Sequence, residues 1–248
     1  MNLLKKDFKS IVYGMRKLVW IYVLILVICQ AHFIILSDFP TLTVFFQVIA
    51  FDMGVIDTLD NFLPSIFWLL LQLLPVFSIL YASYNYFIDS SSYDILRSGS
   101  RLKYFLSKFI VGFILLALFN LALYLLIKIN IFLGGNIKDQ YNDVFYRIIF
   151  SYLIGQFILY MIGFLLSLKF SYKLGISSVL VQLILSMTTN FKWIIGQQSL
   201  AFKTDVLGGN ISFRDNLIIW ITYMLVLSIV SYIYFRNYDF LGGTNDWT

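Results

Sequence analysis

The chain is 248 residues long, 60% hydrophobic, 19% aromatic and only 12% charged, with a formal net charge of +5 and a mean hydropathy of +0.84. Soluble domains carry about 25% charged residues, so a water-soluble fold is excluded and lipid must act as the solvent. The apolar runs are continuous and about 20 residues long, which excludes a β-barrel and leaves an all-α membrane protein.

The N-terminal stretch places Leu3, Leu4, Phe8, Ile11, Val12, Met15 and Leu18 at spacings of three and four, with Lys5, Lys6, Lys9, Arg16 and Lys17 between them. This pattern predicts an amphipathic helix over 1–17, lying on an anionic membrane surface. A transmembrane helix follows over 18–36. It is too long for a signal-peptide core and no small-x-small site follows it, so it is read as permanent. Within it, Cys29 is read as a small buried hydrophobe, and His32 as an interfacial residue. The Asp-containing stretch 37–64 has an apolar middle over 41–56 that is short and interrupted, and it is read as re-entrant or interfacial.

A second span is expected over 65–88, with Pro64 in its first turn. Pro75 should kink it and free a backbone carbonyl. The polar stretch 89–108 reads DSSSYDILRSGSRLKYFLSK. Ser91 and Asp94 resemble a capping box. A short helix through Tyr93, Ile95 and Leu96 is expected, ended by Ser98-Gly99, with Ser100 capping a third span over 102–127. Further spans are expected over 147–168, 174–190 (a short one) and 216–235, joined by a longer connection over 191–215. The result is one domain of six transmembrane helices.

When these spans alternate, twelve of the eighteen bases share the side of the N-terminus and six lie opposite, while the acids divide five to eight. The positive-inside rule then places both termini in the cytoplasm. The bases lie at the ends of apolar runs, at headgroup level, and form no single patch, so nucleic acid is not an expected partner.

Catalytic chemistry is not evident in the sequence. One histidine makes neither a metal site nor a triad, and there is no G-x-x-x-x-G-K-[ST] loop, so the chain is not expected to be an enzyme. The apolar cores contain Gln30, Gln72, Asn120, Gln156 and Gln182 but no clear ionisable residue, which argues against an ion-coupled carrier. Ser151, Gly155, Gly163 and Ser167 recur every four residues or multiples of four in the fourth span. Gly175, Ser178, Gln182, Ser186 and Thr189 make a small, polar stripe on the fifth. Two readings stand for these stripes: close helix packing with interhelical hydrogen bonds, or the wall of a pathway for amphipathic cargo.

The 89–108 stretch mixes Asp94, Arg97, Arg101 and Lys103 with Tyr93, Ile95, Leu96 and Tyr104. A helix that presents anchors and charges to a cytoplasmic partner needs that mixture, and so does an interfacial helix lying on lipid. With the basic N-terminal helix, the loop YDILRSGSRLKYFLSK, the basic turn after the fourth span and the long outer connection, the layout resembles the membrane subunit of ABC-2-type ATP-binding cassette transporters. It looks most like the small Gram-positive permeases that export, or confer immunity to, bacteriocins and other amphipathic peptides such as phenol-soluble modulins. The resemblance covers the whole chain in layout, and residues 93–108 in sequence.

The resemblance implies that 91–100 is a coupling helix docking in a separate ATPase subunit, with Tyr93, Asp94, Ile95, Leu96, Arg97 and Arg101 at the interface. Lys169 and Lys173 would form a second, smaller contact. It further implies a connecting helix over 3–17, an outer re-entrant hairpin over 191–215, and a second permease, identical or paralogous, in a multi-pass assembly of the plasma membrane. The chain itself would hold no cofactor, ATP and Mg²⁺ belonging to the ATPase. Two other readings remain beside this one: a secondary transporter or channel without an ATPase, and a membrane enzyme or scaffold.

Overall fold

The computed structural model describes residues 3–35, 62–98, 100–134, 142–200, 203–205 and 209–237. Among these residues the chain is all-helical, with α1 (Leu3–Ile35), α2 (Phe62–Ser98), α3 (Arg101–Gly134), α4 (Asn142–Lys169), α5 (Tyr172–Thr188) and α6 (Phe213–Asn237). Five of them are long and apolar enough to cross a bilayer, so the chain is a multi-pass membrane protein. The exception is α5, whose 17 residues fall just short of the ~20 that a straight crossing needs. The apolar stretch 41–56 lies outside the described residues.

Two boundaries differ from the sequence reading. No break separates an interfacial helix over 1–17 from a span over 18–36, because α1 is one helix of 33 residues. Asp7, Ile11, Met15, Tyr22, Ile25 and Cys29 are all buried, so one stripe at helical spacing packs against the bundle along the whole length. Likewise α2 does not stop near residue 88 and restart at 91. It runs on to Ser98 as one helix of 37 residues. The three serines at 90–92 weaken a helix far less than Gly or Pro would, and no such breaker intervenes.

Consecutive helices run antiparallel. Phe87 near the end of α2 meets Tyr104 and Phe105 at the start of α3 and Phe164 late in α4, at ring-centroid distances of 6.1, 5.7 and 6.3 Å. Phe105 also stacks on Phe235, late in α6. These contacts, with Leu3, Lys169 and Tyr172, define a basic end. At the opposite end Tyr124 and Tyr146 stack, 6.0 Å apart. The interior is aromatic, with Trp68, Tyr152, Tyr160 and Phe164 fully buried. The outward faces of α1 and α6 expose Trp20, Leu24, Val27, Leu225, Ile229 and Ile233, which is the surface lipid covers.

Candidate functional site

At mid-depth the polar side chains connect three helices. Pro75 has no N–H, so the carbonyl four residues before it, at Leu71, loses its helical donor. Gln156 of α4 supplies one, donating from Nε2 to the Leu71 carbonyl at 3.0 Å. Asn120 of α3 in turn donates to Gln156 Oε1 at 2.7 Å. The carbonyl that Pro75 was expected to free is thus satisfied from another helix, and α2, α3 and α4 are tied at one level.

The basic end holds an ionic centre. Asp7 of α1 and Lys108 of α3 are both fully buried, with Nζ 2.5 Å from Oδ1. Ser107 donates its hydroxyl to the other carboxylate oxygen. The ammonium also lies 3.9 Å from the ring centroid of Tyr86 and 4.5 Å from that of Tyr104, so two aromatic faces stabilise the cation. Below it, the Tyr160 hydroxyl donates towards Ser83 Oγ at 3.2 Å, with the Lys108 carbonyl 3.4 Å away. Gly112 makes room for Tyr160, since a Cβ there would run into the ring. Two desolvated charges in such contact form a latch between α1 and α3, strong only while both partners remain.

Composition alone does not single out Asp7 and Lys108 from the other charges at the ends of the apolar runs. The signal was their phase: Asp7 continues the buried stripe of Ile11 and Met15, and Lys108 shares a face with Tyr104, Val111 and Leu115.

The expected coupling residues Tyr93, Asp94, Ile95, Leu96 and Arg97 fall on the last turns of α2, and Arg101 on the first residue of α3; their side chains lie outside the described part. The apolar window of α2 ends at Asp89. Nine further residues therefore carry the helix ~13 Å beyond it before the chain reverses into α3. Ser100 stands at the reversal, its carbonyl accepting from the Tyr104 N–H at 3.2 Å. Lys169 and Lys173 are exposed at the same end, flanking Ser171, whose hydroxyl caps α5 through the Leu174 N–H at 3.3 Å.

The structure brings Gly163, Ser167 and Gly175 together where α4 crosses α5. A Cβ on Gly175 would collide with Ser167 Oγ and stand 2.5 Å from the Gly163 carbonyl. Ser178 bonds back to the Gly175 carbonyl, and Ser186 to that of Leu183. Gln182 is half-buried. Gly155 lies apart from that crossing and faces Ile195. Between α3, α4 and α6 a lateral groove of about 350 Å³ is lined by residues including Phe109, Phe113, Met161, Met224 and Tyr232.

After α5 the chain folds back over the bundle. Gly196 adopts φ 113°, a left-handed conformation that suits glycine. Gln72 reaches Ser199 at 2.8 Å, and the Tyr223 hydroxyl donates to the Trp193 carbonyl at 2.8 Å. Lys203, almost fully buried, donates to the carbonyls of Ser186 at 2.6 Å, Met187 at 3.3 Å and Thr189. It thus caps the negative end of α5. Burial pulls its ammonium down to about 8 from an ordinary 10.5.

Comparison with known proteins finds no matching family model, no matching curated protein and no matching solved structure.

Proposed function

We propose that this chain is the membrane subunit of an exporter of amphipathic peptides, driven by a separate ATPase that grips the α2–α3 reversal from the cytoplasm. The overhang of α2 carries the reading: a rigid helix that leaves the apolar zone and turns straight back offers a lever to a soluble partner. The basic residues at that end favour the cytoplasmic side, and the absence of a phosphate-binding loop leaves the chain without a motor of its own. ATP and Mg²⁺ would then reside on the partner. The latch between Asp7 and Lys108 supports the reading too, since it joins α1 to the first turns of α3 and lets a push on the reversal move both helices as one body. A pair of such permeases in a Gram-positive plasma membrane would enclose the cargo path, and the aromatic lateral groove beside α6 suits an amphipathic helix or the second subunit.

One observation favours the alternative, an ion-coupled carrier. Asp7 and Lys108 are buried ionisable groups of the kind such carriers use. Their place counts against it: both lie within the first turns of their helices, whereas carrier sites lie near the bilayer midplane.

Photo-crosslinking from positions 93 and 97 in whole cells tests the assignment. The proposal expects an adduct with a nucleotide-hydrolysing protein. Labelling of those positions by a membrane-impermeant reagent added outside the cell would refute it.

A further inference from the structure

We propose that the groove between α1 and α2 at the basic end binds one anionic phospholipid. The groove measures about 1090 Å³ and is lined by residues of α1 and α2. Its rim carries Lys5, Lys9 and Arg16 against a single acid, Asp89. Its apolar lining consists of buried Ala82 and half-buried Phe8 at the floor and the more exposed Val12, Tyr13 and Tyr81 beside them.

Three observations select the ligand. The charge on the rim is a net two positive, which attracts a phosphate headgroup. Lys5 and Lys9 are exposed and have no ion-pair partner among the described residues. The groove also lies at the end of the apolar zone: Asp89 closes the apolar window of α2 and Lys5 stands two residues inside that of α1, with Arg16 and Tyr81 deeper in the windows of their helices. From Lys5 to Arg16 the helix rises ~16 Å, which spans a headgroup and the upper part of its acyl chains. A soluble anion would use the rim and leave the floor bare. A zwitterionic lipid would use the floor and gain little from the rim.

The site adjoins the latch, because Tyr86 lines the groove and its ring also faces Lys108. Occupancy would therefore hold α1 against α2 beside the ionic centre. The inference requires only that the chain sits in a bilayer and is independent of any ATPase.

Native mass spectrometry of the full chain tests it, after equilibration with equal amounts of phosphatidylglycerol and phosphatidylcholine. Retention of phosphatidylglycerol should exceed that of phosphatidylcholine by about tenfold or more, given two to three bases near the surface. The double variant Lys5→Gln/Lys9→Gln should lose about tenfold of that retention. The variant Lys17→Gln/Lys103→Gln removes the same charge from exposed positions outside the groove and should change it less than twofold. Asp89→Asn should raise retention, a gain that misfolding does not produce. Equal retention of the two lipids, equal loss in both double variants, or full displacement by glycerol phosphate without acyl chains would overturn the proposal.

Discussion

Asp7 and Lys108 lie 101 residues apart in the chain and meet at 2.5 Å, both with no exposure to solvent. A buried pair of this kind costs much to break and little to replace as a unit. Asp7→Asn or Lys108→Met alone should therefore lower stability by about 3 kcal/mol or more. Asp7→Leu combined with Lys108→Met should recover most of that loss. Thermal unfolding in detergent reads both; single variants within about 1 kcal/mol of the parent would mean that the pair is solvated.

Pro75 and Gln156 form a second testable couple through the Leu71 carbonyl. Gln156→Leu leaves that carbonyl buried without its donor and should cost about 1–2 kcal/mol. Pro75→Ala restores the N–H, so the same Gln156 substitution should cost less in the Pro75→Ala background. A double-mutant cycle with no coupling would contradict this account of the proline.

The α4–α5 crossing has no space for a methyl group at Gly175. Gly175→Ala should destabilise by about 2 kcal/mol, because the Gly163 carbonyl belongs to backbone and gives way poorly. The same change at Gly155, where a Cβ would stand 4.0 Å from Ile195, should be nearly silent in the same unfolding assay.

These couplings show what the sequence disclosed and what it withheld. Periodicity and length disclosed the helices, because lipid imposes both. The polar residues Asn120 and Gln156 stood out inside apolar runs, and Pro75 announced an orphaned carbonyl, though not which helix would answer it. The continuity of α1 and α2 stayed hidden, because charged and serine residues near an interface mark a boundary of the membrane and not of the helix. Asp7 and Lys108 each sit near several bases in the sequence, and only the register against a partner helix separates a buried charge from a solvated one. Lys203 belongs to the long connection over 191–215, and nothing local announces that a lysine there will reach back to cap α5.

The Lys203 cap gives a pH signature. Its value of about 8 in the folded chain lies below the ordinary 10.5, so between these values the unfolded chain binds more protons. Stability should then rise with pH from about 8 upward and stay flat below it with respect to this group. The rise should be absent in Lys203→Met. Thermal midpoints compared at pH 7.0 and 9.5 in both proteins check it, and identical pH profiles would mean that the Lys203 ammonium stays solvated in the folded chain.

The α2 overhang should matter to work and not to folding. Asp94→Ala/Arg97→Ala should leave the stability read from thermal unfolding within about 0.5 kcal/mol of the parent. Under the proposed function it should also abolish peptide export while the proposed ATPase partner continues to hydrolyse. Export at the parental rate in that variant would move the coupling contact elsewhere.

The most direct measurement is peptide flux into sealed vesicles containing the purified chain, with and without the ATPase proposed as its partner. The account predicts flux only when partner and ATP are both present and on the same side as the α2–α3 reversal. Full flux by the chain alone, following an imposed proton gradient and abolished by Asp7→Asn, would contradict it and establish a carrier instead.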